Sequence, residues 1–150
     1  MTRYLLDTNI LLRARDPSAS NYQLAVDTVS QLLAQDIECV ITAQVLIEFW
    51  VVATRPIEVN GLGWNIQQTK NEIDGVLDRF PLLEETPQIL TNWLQLVSQN
   101  GVRGKRTHDA RILAVMQVHG VTHLLTFNPD DFTNISSDIT IVHPQEIIRG

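Results

Sequence analysis

The 150-residue sequence reads as one α/β domain, a mostly parallel, doubly wound sheet flanked by helices on both faces. Three observations point there. Short β-rich apolar runs alternate with longer stretches of helical period, and strands separated by helices pair parallel through crossovers. Turn residues punctuate the runs with no linker and no internal repeat, so 1–150 reads as a single domain. The composition, 44% hydrophobic and 19% charged, is that of a globular chain, which excludes disorder and low-complexity classes.

Each element follows from its local pattern. Tyr4-Leu5-Leu6 is a short buried strand that ends at Asp7, where a helical turn follows. From Asn21 to Gln35, Ala25, Val26, Val29, Leu32 and Leu33 fall on one helical face. Cys39-Val40-Ile41-Thr42 is a second strand. Ala43 to Thr54 is too long and too uniformly apolar for a strand and predicts a buried helix, ended by Arg55-Pro56 because the residue before a proline avoids the α region. Val59 to Trp64, with Gly61 and Gly63, is a loop. Ile66 to Phe80 is helical, its inner face expected at Ile66, Ile73, Val76, Leu77 and Phe80. Pro81 to Glu84 predicts a short edge strand.

Thr86-Pro87 starts the next helix with a hydroxyl cap and a proline at the first position. Its core face is expected at Leu90, Trp93, Leu94 and Val97, and Asn100-Gly101 closes it. A basic loop, Val102 to Arg106, leads to Thr107 as the expected cap of a helix from His108 to His119, stopped by Gly120. Thr122 to Phe127 is a strand, Asn128 to Asp131 a turn, and Ile139 to Val142 the last strand, with a short helix after Pro144.

Composition also bounds function. One cysteine, Cys39, rules out a disulfide framework and a cysteine-rich zinc site. No apolar run reaches the ~18 residues of a membrane helix, and the N-terminus lacks a signal-peptide pattern, so a soluble, cytoplasmic protein is expected, with no membrane partner. The net charge of −6 argues against a general electrostatic coat for nucleic acid. Within that acidic chain Arg103, Lys105, Arg106 and Arg111 form a local basic patch.

Ligands in open α/β sheets bind at the carboxyl ends of the strands, and acids gather where that edge is expected. Asp7 leaves the first strand, as a helix cap or as a carboxylate at the edge. Glu48 sits on an apolar helix beside Val45, Val51 and Val52, with Gln44 one turn earlier; a buried carboxylate there needs a cation, donors or a proton. Asp109 lies in the first turn of its helix, where the macrodipole also favours an acid. Asn128, Asp130 and Asp131 form the turn after a strand, a role such residues also take for local reasons. Side-chain oxygens brought together at one edge repel one another, and a hard divalent cation, Mg2+ or Mn2+, relieves that; zinc is disfavoured without a His/Cys cluster. Such a site activates water and clamps a phosphodiester for in-line displacement. Arg103, Lys105 and Arg106 then bind flanking phosphates, and Thr8 and Asn9 are expected to donate to ligand or phosphate.

The segments LLDTNILL, VLIEFW, HDARILAVM and LLTFNPDDF, in this order and spacing, resemble the PIN-domain nucleases, most closely the VapC-type toxins of toxin–antitoxin pairs. The resemblance covers nearly the whole chain. It implies a metal-dependent endoribonuclease that cuts single-stranded RNA, the toxin of a type II pair, with Asp7, Glu48 and Asp109 as metal ligands. It further implies a homodimer and a cognate antitoxin whose peptide arm covers the cleft. One position departs from the pattern. Many members carry an acid where Asn128 follows Thr126-Phe127, so Asn128 or Asp131 completes the catalytic set, and a second metal is weakened. The competing reading is a catalytically silent PIN-like module that binds RNA or protein. A haloacid-dehalogenase-type phosphatase fails on spacing, since it needs an Asp two positions after Asp7 and Asn9 stands there. His108 points about 100° away from Asp109 on its helix, which favours a packing or surface role over a general base. Trp50, Trp64 and Trp93 read mainly as core residues, with base stacking open for Trp64.

Overall fold

In the computed structural model, which describes residues 2–149, β1 (Arg3–Leu6) is an inner strand between β2 (Glu38–Val40) and β3 (His123–Leu125). β4 (Thr140–Val142) lies outside β3, giving the order β2-β1-β3-β4 with every neighbouring pair parallel. Leu5 sits in register between Val40 and Leu124, and Leu6 pairs with Leu125. Successive strand residues point to opposite faces, yet Leu5, Leu6, Leu124 and Leu125 are all fully buried, so helices cover both faces. The α/β, parallel-sheet architecture expected from sequence is the one observed.

The helices are α1 (Thr8–Ala14), α2 (Tyr22–Ala34), α3 (Ala43–Thr54), α4 (Ile66–Arg79), α5 (Pro87–Gln99), α6 (Arg106–His119) and α7 (Pro144–Arg149). The edge strand expected at Pro81–Glu84 shrinks to one parallel bridge between Ile41 and Leu82. Its hydrogen bonds, Ile41 N–H to Pro81 O and Leu83 N–H to Ile41 O, hold it at the outer edge of β2.

Four expectations about helix faces and caps need correction. On α5, Ile89 and Leu96 are buried, whereas Leu90 and Leu94 are 66% and 58% exposed. At about 100° per residue, Ile89, Trp93 and Leu96 share a narrow arc and Leu90 and Leu94 lie further round; packing on α6 selects the first arc. On α4, Val76 and Phe80 are buried while Ile66 and Leu77 are exposed. Helix α3 is not buried all round, since Ile47 and Val51 face solvent opposite the buried Val45, Phe49 and Ala53. Finally, α6 begins at Arg106 with Lys105 as its cap residue, and the Thr107 hydroxyl donates to the Gly104 carbonyl instead. Gly120 ends α6 in the left-handed region (φ 69°), where a side chain would be strained.

Trp64 packs edge-on against Phe49 with ring centroids 6.0 Å apart, and Trp93 donates its indole N–H to the Thr107 carbonyl. Both pack against the core. Among the described residues, no helix is long and apolar enough to cross a membrane.

Candidate metal centre

The connection from β1 runs outward to β2, and the next crosses back over β1 to β3. The strand order therefore reverses between β1 and β3, and their carboxyl ends frame the crevice where open α/β sheets bind ligands. Asp7 leaves β1 at that point and its N–H bonds the Leu125 carbonyl, which closes the two strand ends together. Thr126 leaves β3 beside it.

Asp7 is buried and caps α1, accepting from the Thr8 N–H at 2.8 Å. Its other oxygen accepts from the Thr126 hydroxyl at 2.8 Å and from the Asn9 amide at 3.4 Å. The two expected roles of Asp7, cap and edge carboxylate, thus coexist in one side chain. The Thr126 oxygen in turn accepts from the Asn128 N–H and the Asn9 amide. Asn9 also accepts from the Phe127 N–H. Asn9 therefore ties α1 to the chain after β3, and its polar atoms are occupied within the protein rather than facing a ligand.

Thr8 turns inward too. Its hydroxyl donates to a Glu48 carboxylate oxygen at 2.9 Å and lies 3.3 Å from the Val45 carbonyl. This corrects the expected ligand-facing role of Thr8, which instead fixes Glu48 to the residue next to Asp7. The second Glu48 oxygen accepts from the Gln44 amide at 3.2 Å. The same amide donates to the His108 carbonyl at 2.7 Å, in the first turn of α6 beside Asp109. Glu48 is half-buried, at the boundary between the buried and exposed faces of α3.

Electrostatics link these acids. Burial pushes Asp7 up to about 6, with Glu48 and Asp131 adding repulsion against the opposing bonds from Thr126 and Thr8. Asp109 is also pushed up to about 6, by burial and then by Asp131, Asp7 and Glu48, with Arg106 pulling the other way. Asp131 acts on both Asp7 and Asp109. Asn128 is exposed and carries no charge to add, so Asp131 is the residue of that turn that joins the anionic group.

The donor set has the chemistry of a hard-cation site: carboxylate oxygens from four distant segments, with no Cys or His among them. As the side chains stand they do not close around one point. Among the described residues, no three His, Cys, Asp or Glu side chains are arranged to hold a metal ion. Asp109 is half-buried and Asp131 exposed, and among the described residues neither carboxylate accepts a hydrogen bond, whereas Asp7 and Glu48 are held by hydrogen bonds. The fit is thus one of charge and donor type, on two fixed carboxylates and two that accept no hydrogen bond.

The basic patch divides. Arg103 and Lys105 are exposed. Arg106 donates to the carbonyls of Thr133 and Asp131, which anchors the turn carrying Asp131. Arg111 pairs with Glu85 at 2.9 Å and donates to Gln44 at 3.1 Å. His108 is exposed, in line with a surface role. Thr126 was not singled out from sequence as a functional residue. Its only signal is a hydroxyl directly after the apolar run Leu124-Leu125, a pattern common at strand ends.

No curated protein matches the chain. Its fold is similar to that in the crystal structure of VapBC2 from Rickettsia felis bound to a promoter DNA fragment, with TM-score 0.68 and 20% identity over 95% of this chain and 98% of that one. It is similar to VapBC-1 from nontypeable Haemophilus influenzae, with TM-score 0.67 and 21% identity over 96% and 99% of the two chains. It also resembles VapC20 of Mycobacterium tuberculosis, described as a sarcin-ricin loop cleaving toxin, with TM-score 0.56 and 17% identity over 81% and 86%. Identities this low speak to the fold. The family model described as PIN domain matches residues 4–137, and the chain therefore belongs to the PIN domain family.

Proposed function

We propose that this PIN-domain chain is a VapC-type endoribonuclease, dependent on Mg2+ or Mn2+, that hydrolyses single-stranded RNA. In this reading it is the toxin of a type II toxin–antitoxin pair, a cytoplasmic homodimer restrained by its cognate antitoxin. One observation carries the proposal. Glu48 and Asp131, far apart in sequence, both add repulsion at Asp7 and Asp109 at the reversal point of the sheet, where burial and these charges raise the two aspartates to about 6. Among the described residues, none of the four carboxylates is paired with a base in a salt bridge. The likeness of fold to toxin–antitoxin structures supports the partner assignment.

Asp7, Glu48, Asp109 and Asp131 would hold a divalent cation at this edge, and its charge would offset that of the phosphodiester and acidify a nearby water. The chain supplies the rest. Asp7 and Glu48 present fixed oxygens, held by Thr126 and Thr8. Asp109 and Asp131 complete the anionic edge. Arg103 and Lys105, exposed on the loop before α6, hold phosphates flanking the scissile bond. Arg106 keeps the Asp131 turn in place through two backbone carbonyls.

The test is cleavage of labelled single-stranded RNA with and without Mn2+, beside Asp109→Asn. Cutting that needs the ion and vanishes in the variant is expected. A silent binding module, the reading favoured by the open arrangement of the acids, would retain RNA at saturating Mn2+ without turnover, and that result would displace the nuclease assignment.

A further inference from the structure

Glu48 is held by two neutral donors, one on each oxygen: the Thr8 hydroxyl at 2.9 Å and the Gln44 amide at 3.2 Å. A guanidinium is close by. Gln44, Glu48, Glu85 and Arg111 line one open cavity of about 590 Å³ between α3 and α6. Arg111 nevertheless makes its ion pair with Glu85, and its other contact is with the Gln44 side-chain oxygen at 3.1 Å. Gln44 therefore stands between Arg111 and Glu48, accepting from one and donating to the other.

The chemistry of that position is restrictive. An amide both accepts and donates, so it can satisfy Arg111 on one side and Glu48 and the His108 carbonyl on the other. A carboxylate at position 44 would accept from Arg111 but have no proton for Glu48. An apolar side chain would do neither. Without Gln44, the nearest strong option for both charges is a direct, charge-assisted Arg–carboxylate pair, which uses both carboxylate oxygens. Neutral donors orient a carboxylate and leave its charge available to an incoming cation.

We propose that Gln44 is a positioning and insulating residue for the acidic edge: it holds Glu48 in register with Asp109 on α6 and keeps the Arg111 guanidinium from neutralising it. This rests on the cation site proposed above. It adds that the affinity of that site for a cation depends on a residue that is itself no ligand.

The test uses Gln44→Ala, Arg111→Met and the double variant. Alanine preserves helix propensity on α3, and folding is checked by circular dichroism. Mn2+ binding is measured by calorimetry on each protein. Gln44→Ala is expected to weaken Mn2+ by about tenfold or more, the scale of one new charged hydrogen bond. Removing Arg111 in that background is expected to restore affinity to within about threefold of the wild type, a non-additive cycle. Unchanged affinity in Gln44→Ala, or no recovery in the double variant, would overturn the insulating role. A crystal structure of Gln44→Ala gives a readout that needs no metal. Arg111 is expected on Glu48, and Arg111 remaining on Glu85 alone refutes the proposal. Absence of Mn2+ binding by the wild type would instead refute the cation site, leaving the crystal structure to decide the placement of Arg111.

Discussion

Asp7 carries its charge against opposing influences. Burial and the nearby acids raise its pKa, the Thr126 and Thr8 bonds lower it, and the net result is about 6; Asp109 reaches the same value. In the unfolded chain both return to an ordinary value of 3.8. The folded state thus binds protons more readily, so the stability linked to these two groups is fully present below the unfolded value and is lost as pH rises through about 6. In metal-free protein the melting temperature should therefore rise as pH falls from about 7.5 to about 5. Asp7→Asn should raise it at neutral pH and flatten the dependence, since asparagine also caps helices but carries no charge. A wild-type melting temperature that falls over this window, or an Asp7→Asn curve that tracks the wild type, contradicts this account. The acids were legible in sequence because a charge directly after an apolar strand or inside an apolar helix stands out. Thr126 was not, and the partners of Thr8 and Asn9 were not, because short polar side chains hydrogen-bond inward or outward equally well and only the packed fold decides which.

At the scale of elements, the patterns that specify a helix were readable and the face it buries was not. The apolar residues of α5 spread over an arc of about 160°, so periodicity alone offered both Leu90 and Ile89, and contact with α6 decided. The bridge at Leu82 shows the same limit, since its pairing depends on the outer edge of β2, some forty residues earlier in the chain. The loop after α3 was legible through its glycines, and Gly61 has a concrete reason to be there. A Cβ at Gly61 would lie 1.8 Å from the Arg55 carbonyl oxygen, a backbone atom with little room to yield. The loop is closed by Gly61 N–H to Pro56 O and Gly63 N–H to Arg55 O. Gly61→Ala is therefore expected to destabilise the protein by about 1–3 kcal/mol, the usual cost of overpacking. Denaturant unfolding checks this, and a midpoint unchanged from the wild type would show that the loop opens without cost.

For the molecule as a whole, a cation that binds only the folded state should stabilise it by mass action. At roughly 100 times its Kd, Mn2+ contributes about 2.7 kcal/mol. The melting temperature at neutral pH should rise on adding Mn2+, and the rise should vanish in Asp7→Asn. A rise of equal size in that variant would place the ion elsewhere on an acidic surface. The edge that would hold this ion is assembled from residues 7, 48, 109 and 131, and β3 must insert beside β1 before Asp7 acquires its partner in Thr126. During translation the first hundred residues can emerge without completing it. Whatever chemistry this edge performs is thus withheld from the nascent chain until residue 131 has been made and folded into place.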